Sequence, residues 1–281
     1  MPADARHAPL IRAVIIGVTG RMGRSLVHAA PLFPQLIITG AIASPGSLAL
    51  GRDAGEVAGA GSTNLTVTSD LPRALAQADV ALDFSSATAT VDNLAACRAA
   101  RTPLLLGTTG FGASLEGELT AAAQDIPLLV AANTSLAVAL LIELTRIAAR
   151  SLPVSFDIDV IELHHRLKPD APSGTALALG GAAAEARGGT VSAPAARLAS
   201  PLSRPGPRGE GEIGFAAVRA GDIVGVHTVL FSGAGEELSL THRALDRAVF
   251  ARGALAAALW LSSRPAGRYR MGDFLGVKTS T

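Results

Sequence analysis

Residues 1–134 read as a doubly wound α/β domain on a parallel sheet, and residues 135–245 as a smaller α+β domain with a mixed, largely antiparallel sheet. Three observations predict this architecture. Short apolar runs alternate with alanine-rich amphipathic stretches through the first half, a glycine-rich turn follows the first run, and beyond Pro153 the pattern changes to alternating polar and apolar positions.

In chain order, the strands predicted for the first half are Ala13–Ile16, Leu36–Ile42, Val80–Phe84, Leu104–Leu106 and Leu128–Ala131, each apolar enough to be covered on both faces. The intervening helices are Arg24–Ala30, Ala87–Ala100, Ser114–Gln124 and Leu136–Ala149. Phe156–Leu163, FDIDVIEL, sets Asp157, Asp159 and Glu162 among apolar residues and reads as a strand with one polar face. A helix follows over Thr175–Ala186, then a Gly-, Pro- and Arg-rich stretch, 188–211, too broken for regular structure and read as a mobile loop. Ile213–Arg219, Ile223–Phe231 and Glu237–His242, separated by AGD and GAG turns, predict an antiparallel meander. The helix Asp246–Leu261 closes the pattern, with 246–281 expected to return to the first domain. The start, MPADARHAPLIRAV, reads as a loose tail without a signal-peptide pattern.

Composition narrows the function. The 281 residues suffice for two domains without disulfide staples, and the single cysteine, Cys97, excludes an internal disulfide or a cysteine-based metal framework. No metal site is expected, and one thiol suits a cytoplasmic location. A mean hydropathy of +0.38 reflects alanine, and no apolar stretch approaches the roughly 18 residues of a membrane span. A net charge of +1 with 4% aromatic residues offers no basic field or stacking platform for nucleic acid. Only Lys168 and Lys278 among the 24 basic residues are lysine, so a lysine inside a motif is informative.

The first motif is VIIGVTGRMGRS, a strand running into Gly17, Val18, Thr19, Gly20, Arg21 and Met22, with Gly23 beyond, and then a helix. Glycines there permit a tight turn and close approach of a pyrophosphate, and the helix N-terminus offers N–H donors. A turn of packing value alone is the bland alternative. Dinucleotide sites that prefer NADH carry an acid about 20 residues on, which contacts the ribose. Here Ala43 and Ser44 stand at that strand end, with Arg52 nearby, so NADPH or NADH stays open. Two further strand ends, Gly107, Thr108 and Thr109, and Ala131, Ala132, Asn133 and Thr134, are small enough to let backbone approach a flat ring, although ordinary turn and capping chemistry also explains them.

IELHHRLKPDAPSGTA, residues 161–176, places His164, His165, Arg166 and Lys168 after a strand and Ser173, Gly174 and Thr175 at a helix start. Histidine exchanges protons near neutrality, lysine can give one up, and a helix N-terminus can hold a carboxylate. The set suits a small dianionic acid; a solvated basic loop is the competing reading.

Together GVTGRMG, DFSSATAT, GTTGF, AANTS, ELHHRLKPDAPSGTA and IGFAAVRAGDIVGVHTVLF, in order from Arg12 to Phe274, resemble the bacterial dihydrodipicolinate reductase family, now described as 4-hydroxy-tetrahydrodipicolinate reductase. The resemblance implies a Rossmann-like first domain, an NAD(P)H-dependent reduction in the diaminopimelate and lysine pathway, a small cyclic dicarboxylate substrate and a homotetramer built through the second domain's sheet. It implies His164 and Lys168 as proton-transfer residues, His165, Gly174 and Thr175 as substrate ligands, and the three small-residue loops as the cofactor site. The chain departs from the pattern at Ala43 and Ser44, at Ser86 where some members have arginine, and across 188–211. The competing functions are another Rossmann imine or amino-acid dehydrogenase, and a non-catalytic NADPH-binding redox sensor.

Overall fold

A computed structural model describes residues 10–110, 115–189, 208–209 and 211–276. Residues 1–9 of the start and most of the 188–211 stretch therefore lie outside the described residues, while Ile11–Ile16 of the expected tail and strand form β1. Two compact units emerge, one from the chain up to Ser135 together with Ala248–Gly276, the other from Leu136–Arg247.

The first unit runs β1 (Ile11–Ile16), α1 (Arg21–Ala29), β2 (Leu36–Ile42), α2 (Ala54–Ala58), β3 (Val67–Thr68), α3 (Leu71–Leu75), β4 (Val80–Asp83), α4 (Thr90–Ala99), β5 (Leu104–Leu106), α5 (Glu116–Asp125) and β6 (Pro127–Val130). The second follows with α6 (Leu136–Ser151), β7 (Asp157–His164), α7 (Gly174–Ala186), β8 (Ile213–Arg219), β9 (Gly225–Gly233) and β10 (Glu236–Ala244). The chain then returns to the first unit as α8 (Ala248–Leu261), β11 (Gly267–Tyr269) and α9 (Met271–Phe274).

The first unit's sheet has seven strands in the order β11-β6-β5-β4-β1-β2-β3, every pairing parallel. Ala13, Val14, Ile15, Leu104, Leu105 and Leu106 are fully buried, which is why these strands read as unbroken apolar runs. Val14, Ile16, Ala81 and Leu104 share one core with Leu71, Leu94, Cys97 and Leu119 from α3, α4 and α5. On the other side α8 packs along α1, β4, β5 and β6, and its Ala251, Ala254, Ala257 and Ala258, with Leu255 and Leu261, are buried. Strand order reverses at β1, which lies between β2 and β4, and a ligand crevice in such sheets forms outside the carboxyl ends at that point.

Strands β3 and β11 and helices α2, α3 and α9 were not predicted. Each has five residues or fewer, too short for hydrophobic periodicity to register.

In the second unit the sheet order is β10-β9-β7-β8. The predicted meander is corrected here: β9 and β10 form a hairpin, but β8 pairs parallel to β7 on the opposite side from β9. The turn between β8 and β9 therefore spans β7, with β7 holding a neighbour on each edge.

Helices α6 and α7 cover one face, where Leu141, Ile158, Val160, Leu179, Val229 and Phe231 make the core. Gly180 lets α7 lie on β8, since a Cβ there would stand 2.4 Å from the Phe215 ring. Phe231 is the largest fully buried side chain of this core. Phe231→Ala is expected to cost about 3–5 kcal/mol of stability, read as a lower urea midpoint by circular dichroism; a loss under about 1 kcal/mol would mean the core closes around the gap.

Candidate active site

The first unit gathers three of the sequence-derived loops at the carboxyl ends of its strands. Gly17 leaves β1 with φ +85°, and its N–H and that of Val18 both donate to the Ile42 carbonyl at the end of β2. A Cβ on Gly17 would stand 2.7 Å from the Phe84 carbonyl oxygen, and one on Gly23 would stand 2.3 Å from the Gly17 carbonyl oxygen. These two positions thus require glycine for the turn and for the seating of α1. Gly20 is the N-cap, Arg21 and Met22 open the helix, and no acidic residue sits in its first turn. The intrahelical ladder begins with Arg24 N–H to the Gly20 carbonyl, leaving the earlier N–H groups ahead of it.

Asp83, fully buried at the end of β4, ties neighbouring loops together. It accepts from the Ser85 N–H at 2.9 Å, the Thr108 hydroxyl at 3.3 Å and the Asn93 amide at 3.0 Å. Gly107 N–H donates to the Asp83 carbonyl and Ala131 N–H to the Leu106 carbonyl. Gly107 also faces the Phe84 ring, where a Cβ would lie 2.1 Å from a ring carbon. Thr109 is exposed beyond Thr108 and Ala132 beyond Ala131, the Thr134 hydroxyl donates to the Phe250 carbonyl at 2.7 Å, and Asn133 accepts from Ser135 N–H.

Asp83 and Phe84 escaped the sequence reading as site residues, although both stand in the DFSSATAT motif. An aspartate closing a buried strand was the available signal.

The geometry fits a nicotinamide dinucleotide. A helix start with no carboxylate and with Arg21 beside it suits a diphosphate, and the glycines keep side chains out of its approach. At the end of β2 stand Ala43 and Ser44, neither of them acidic. The nearest carboxylate along the chain, Asp53, caps α2, accepts N–H donors from Gly55, Glu56 and Thr63, and is held well below the usual carboxylate range chiefly by the Thr63 backbone bond. Ser44 and Arg52 are exposed.

The second unit builds its site on the end of β7. Side chains on that strand alternate, with Ile158, Val160, Glu162 and His164 inward and Asp157 and Asp159 outward. Glu162 therefore does not belong to the polar face; its parity puts it on the buried face, with its side chain 1% exposed. Around its carboxylate stand Arg219 from β8, at 2.7 and 2.9 Å to the two oxygens, the Ser173 N–H at 3.1 Å, and His164 Nδ1. Arg219 also donates to the Asp170 carbonyl at 2.6 Å. Lys168 Nζ pairs with Asp170 Oδ2 at 2.8 Å, and His165 lies half-buried, its carbonyl accepting Lys168 N–H. Ser173 caps α7 by accepting Ala176 N–H, which makes Gly174 and Thr175 the helix's first two residues. A Cβ on Gly174 would meet nothing within 4 Å, so the glycine leaves that helix start open.

Burial pushes the Glu162 carboxyl up, but Arg219 and His164 outweigh it and leave the group below its ordinary value. Burial also pushes His164 down and outweighs the opposing pull of Glu162. His227, paired across the strands with Glu162, joins the Ser173 hydroxyl through Nε2 at 3.0 Å and meets the His164 ring edge-on at 5.0 Å between centroids. Glu162, Arg219 and His227 were missed, because cross-strand partners are set by register rather than by sequence spacing.

With that geometry in view, the family models for the N-terminal and C-terminal parts of dihydrodipicolinate reductase match residues 11–134 and 137–275. The chain belongs to the dihydrodipicolinate reductase family. A 4-hydroxy-tetrahydrodipicolinate reductase of Alkalilimnicola ehrlichii is 48% identical over 266 residues, 95% of this chain and 99% of the relative. One from Anaeromyxobacter dehalogenans is 44% identical over 272 residues, covering 96% and 99%. The fold is shared with the dipicolinate-bound dihydrodipicolinate reductase of Paenisporosarcina sp. TG-14, at TM-score 0.72 and 23% identity over 93% of this chain and 97% of that one. It is shared too with an amine dehydrogenase of Mycobacterium smegmatis, at TM-score 0.67 and 16% identity, covering 93% and 95%. Membership makes the chain an NAD(P)-dependent oxidoreductase, a reductase whose first unit is the nucleotide-binding part. Among the described residues no helix is long and apolar enough to cross a membrane.

Burial lowers the His227 pKa to about 4, against an ordinary value of 6.5. The unfolded chain thus binds this proton more readily than the folded one, so stability is full above pH 6.5 and falls as pH drops from there toward 4. The loss expected from this group is about 3 kcal/mol. Urea titrations at pH 7.5 and 4.5 should show that loss shrinking in His227→Gln; an unchanged difference would assign the acid sensitivity elsewhere.

Proposed function

We propose that the chain reduces 4-hydroxy-tetrahydrodipicolinate to tetrahydrodipicolinate, with loss of water, using NADPH or NADH in diaminopimelate and lysine biosynthesis. One observation carries the reading: the end of β7 and the loop into α7 present His164, Lys168 and a helix start together, with His164 and the helix start both held by one buried carboxylate, Glu162. The near full-length likeness to curated reductases of that name supports the same substrate.

In this mechanism Gly174 and Thr175 at the start of α7, with His165, hold a carboxylate of the cyclic diacid. Lys168 brings an ammonium to the ring nitrogen, neutralises the charge that develops there and delivers the proton. Asp170 pairs with Lys168 Nζ at 2.8 Å and holds that side chain until substrate displaces the contact. His164, held neutral by burial, exchanges a proton through its free ring nitrogen. The loops at Gly17–Met22, Gly107–Thr109 and Ala131–Thr134 hold the dinucleotide, which supplies the hydride when bound. With no acid at Ala43 and Ser44, a 2′-phosphate meets no carboxylate repulsion, and either cofactor is accepted.

The reading includes a cytoplasmic location and a homotetramer. Helices cover one face of the four-stranded sheet, and the other carries Ile161, Leu163, Val218 and Leu230 in register, with Val218 43% exposed. Such a face suits burial against further copies of the chain. Light scattering should return four times the 28.4 kDa chain mass, and Val218→Asp should lower it; a wild-type monomer would overturn the assembly.

Lys168→Ala is expected to keep NADPH affinity within about twofold while turnover falls by on the order of 100-fold or more. The assay follows nicotinamide absorbance with substrate made in situ from pyruvate and aspartate semialdehyde by the upstream synthase. Undiminished turnover would remove Lys168 from the reaction, and cofactor binding without oxidation in the wild type would favour a sensor.

A further inference from the structure

Beyond the residues that meet substrate in the reading above, we infer that Glu162 is a positioning residue: it fixes which nitrogen of His164 carries the proton and, with Arg219, anchors the loop that carries Lys168. The inference rests on the functional reading only for its effect on turnover.

The Glu162 carboxylate touches three separate parts of the loop's frame. It meets His164 Nδ1 where β7 ends, accepts Ser173 N–H where α7 begins, and through Arg219 reaches the Asp170 carbonyl between them. Both ends and the middle of 164–173 are thereby tied to one fully buried anion.

An ionised carboxylate only accepts hydrogen bonds, so the His164 nitrogen facing it must be the one that bears hydrogen. Nε2 is then left as the lone-pair nitrogen of the neutral ring. The neighbouring position on β9 leaves room beside it. A Cβ at Gly225 on β9 would come within 3.1 Å of Nε2, and the residue there is glycine.

The charged and titratable groups around His164 come from every neighbouring element. Arg219 faces it from β8, His227 from β9 with His242 beside that on β10, and Lys168 with Asp170 from the loop. Of these, Glu162 is the anion in direct contact with the ring. Neutralising it leaves Arg219 without its buried counter-ion beside the ring and disfavours imidazolium.

The test is long-range 1H–15N NMR of the intact protein labelled at histidine, above the His164 pKa, with the signal assigned by its loss in His164→Asn. The wild type is expected to carry the proton on Nδ1. Glu162→Gln presents either an amide donor or an amide oxygen to that nitrogen and is expected to shift the population toward the Nε2-protonated ring. Turnover should fall by on the order of 100-fold with KM within about threefold, and the acidic limb of the kcat/KM profile should move to lower pH.

Glu162→Asp, which keeps the anion, should recover part of the rate. A wild-type ring protonated on Nε2 overturns the inference without any variant, as does Glu162→Gln with an unchanged tautomer and pH profile. Full turnover by both Lys168→Ala and His164→Asn would overturn the functional reading instead, while an Nδ1-protonated ring would still support the Glu162 assignment.

Discussion

The second unit depends on a carboxylate taken out of water. Removing an anion and a guanidinium from solvent costs on the order of several kcal/mol each, and their attraction repays this only when the remaining hydrogen-bonding capacity is filled. Glu162 meets that condition with two Arg219 nitrogens, a backbone N–H and an imidazole. Such a pair adds little net stability over a well-packed apolar substitute, yet losing one partner strands a buried charge at a cost of about 3–5 kcal/mol. Its value lies in geometry. It fixes the path of a loop that has little apolar burial of its own, since Leu167 is 82% exposed.

The protonation state of the neighbouring histidine is the balance of two opposed effects, burial and this carboxylate. Burial favours neutral imidazole, the anion favours imidazolium, and burial wins, so His164 lies below its ordinary value while Glu162 remains ionised. A neutral ring donating to a carboxylate leaves its second nitrogen basic. That division of labour suits the proposed site, in which Lys168 would bring positive charge and His164 would exchange a proton.

In the first unit the governing constraint is steric. Backbone segments at Gly17, Gly23 and Gly107 approach their neighbours more closely than any side chain allows, at the carboxyl ends of the paired strands β1, β4 and β5. Asp83 supplies the polar counterpart, joining the Ser85 and Thr108 loops through one buried side chain. Glycines and a buried acid together keep side chains out of the approach to these strand ends, which suits a long, flat, charged cofactor.

The sequence by itself determined the parallel sheet, because strands covered on both faces must be apolar throughout, and it determined the glycine turn and the HHRLKPDAPSG loop, because their chemistry is local. Segments too short to show a period, such as β3 and β11, were invisible for the same reason. Tertiary structure alone decided that β8 lies beside β7, that Glu162 turns inward, and that Arg219, 57 residues further on, closes around it. Those facts follow from strand order and register, which pair residues far apart in the chain, and no local pattern records which distant side chain will share a buried charge.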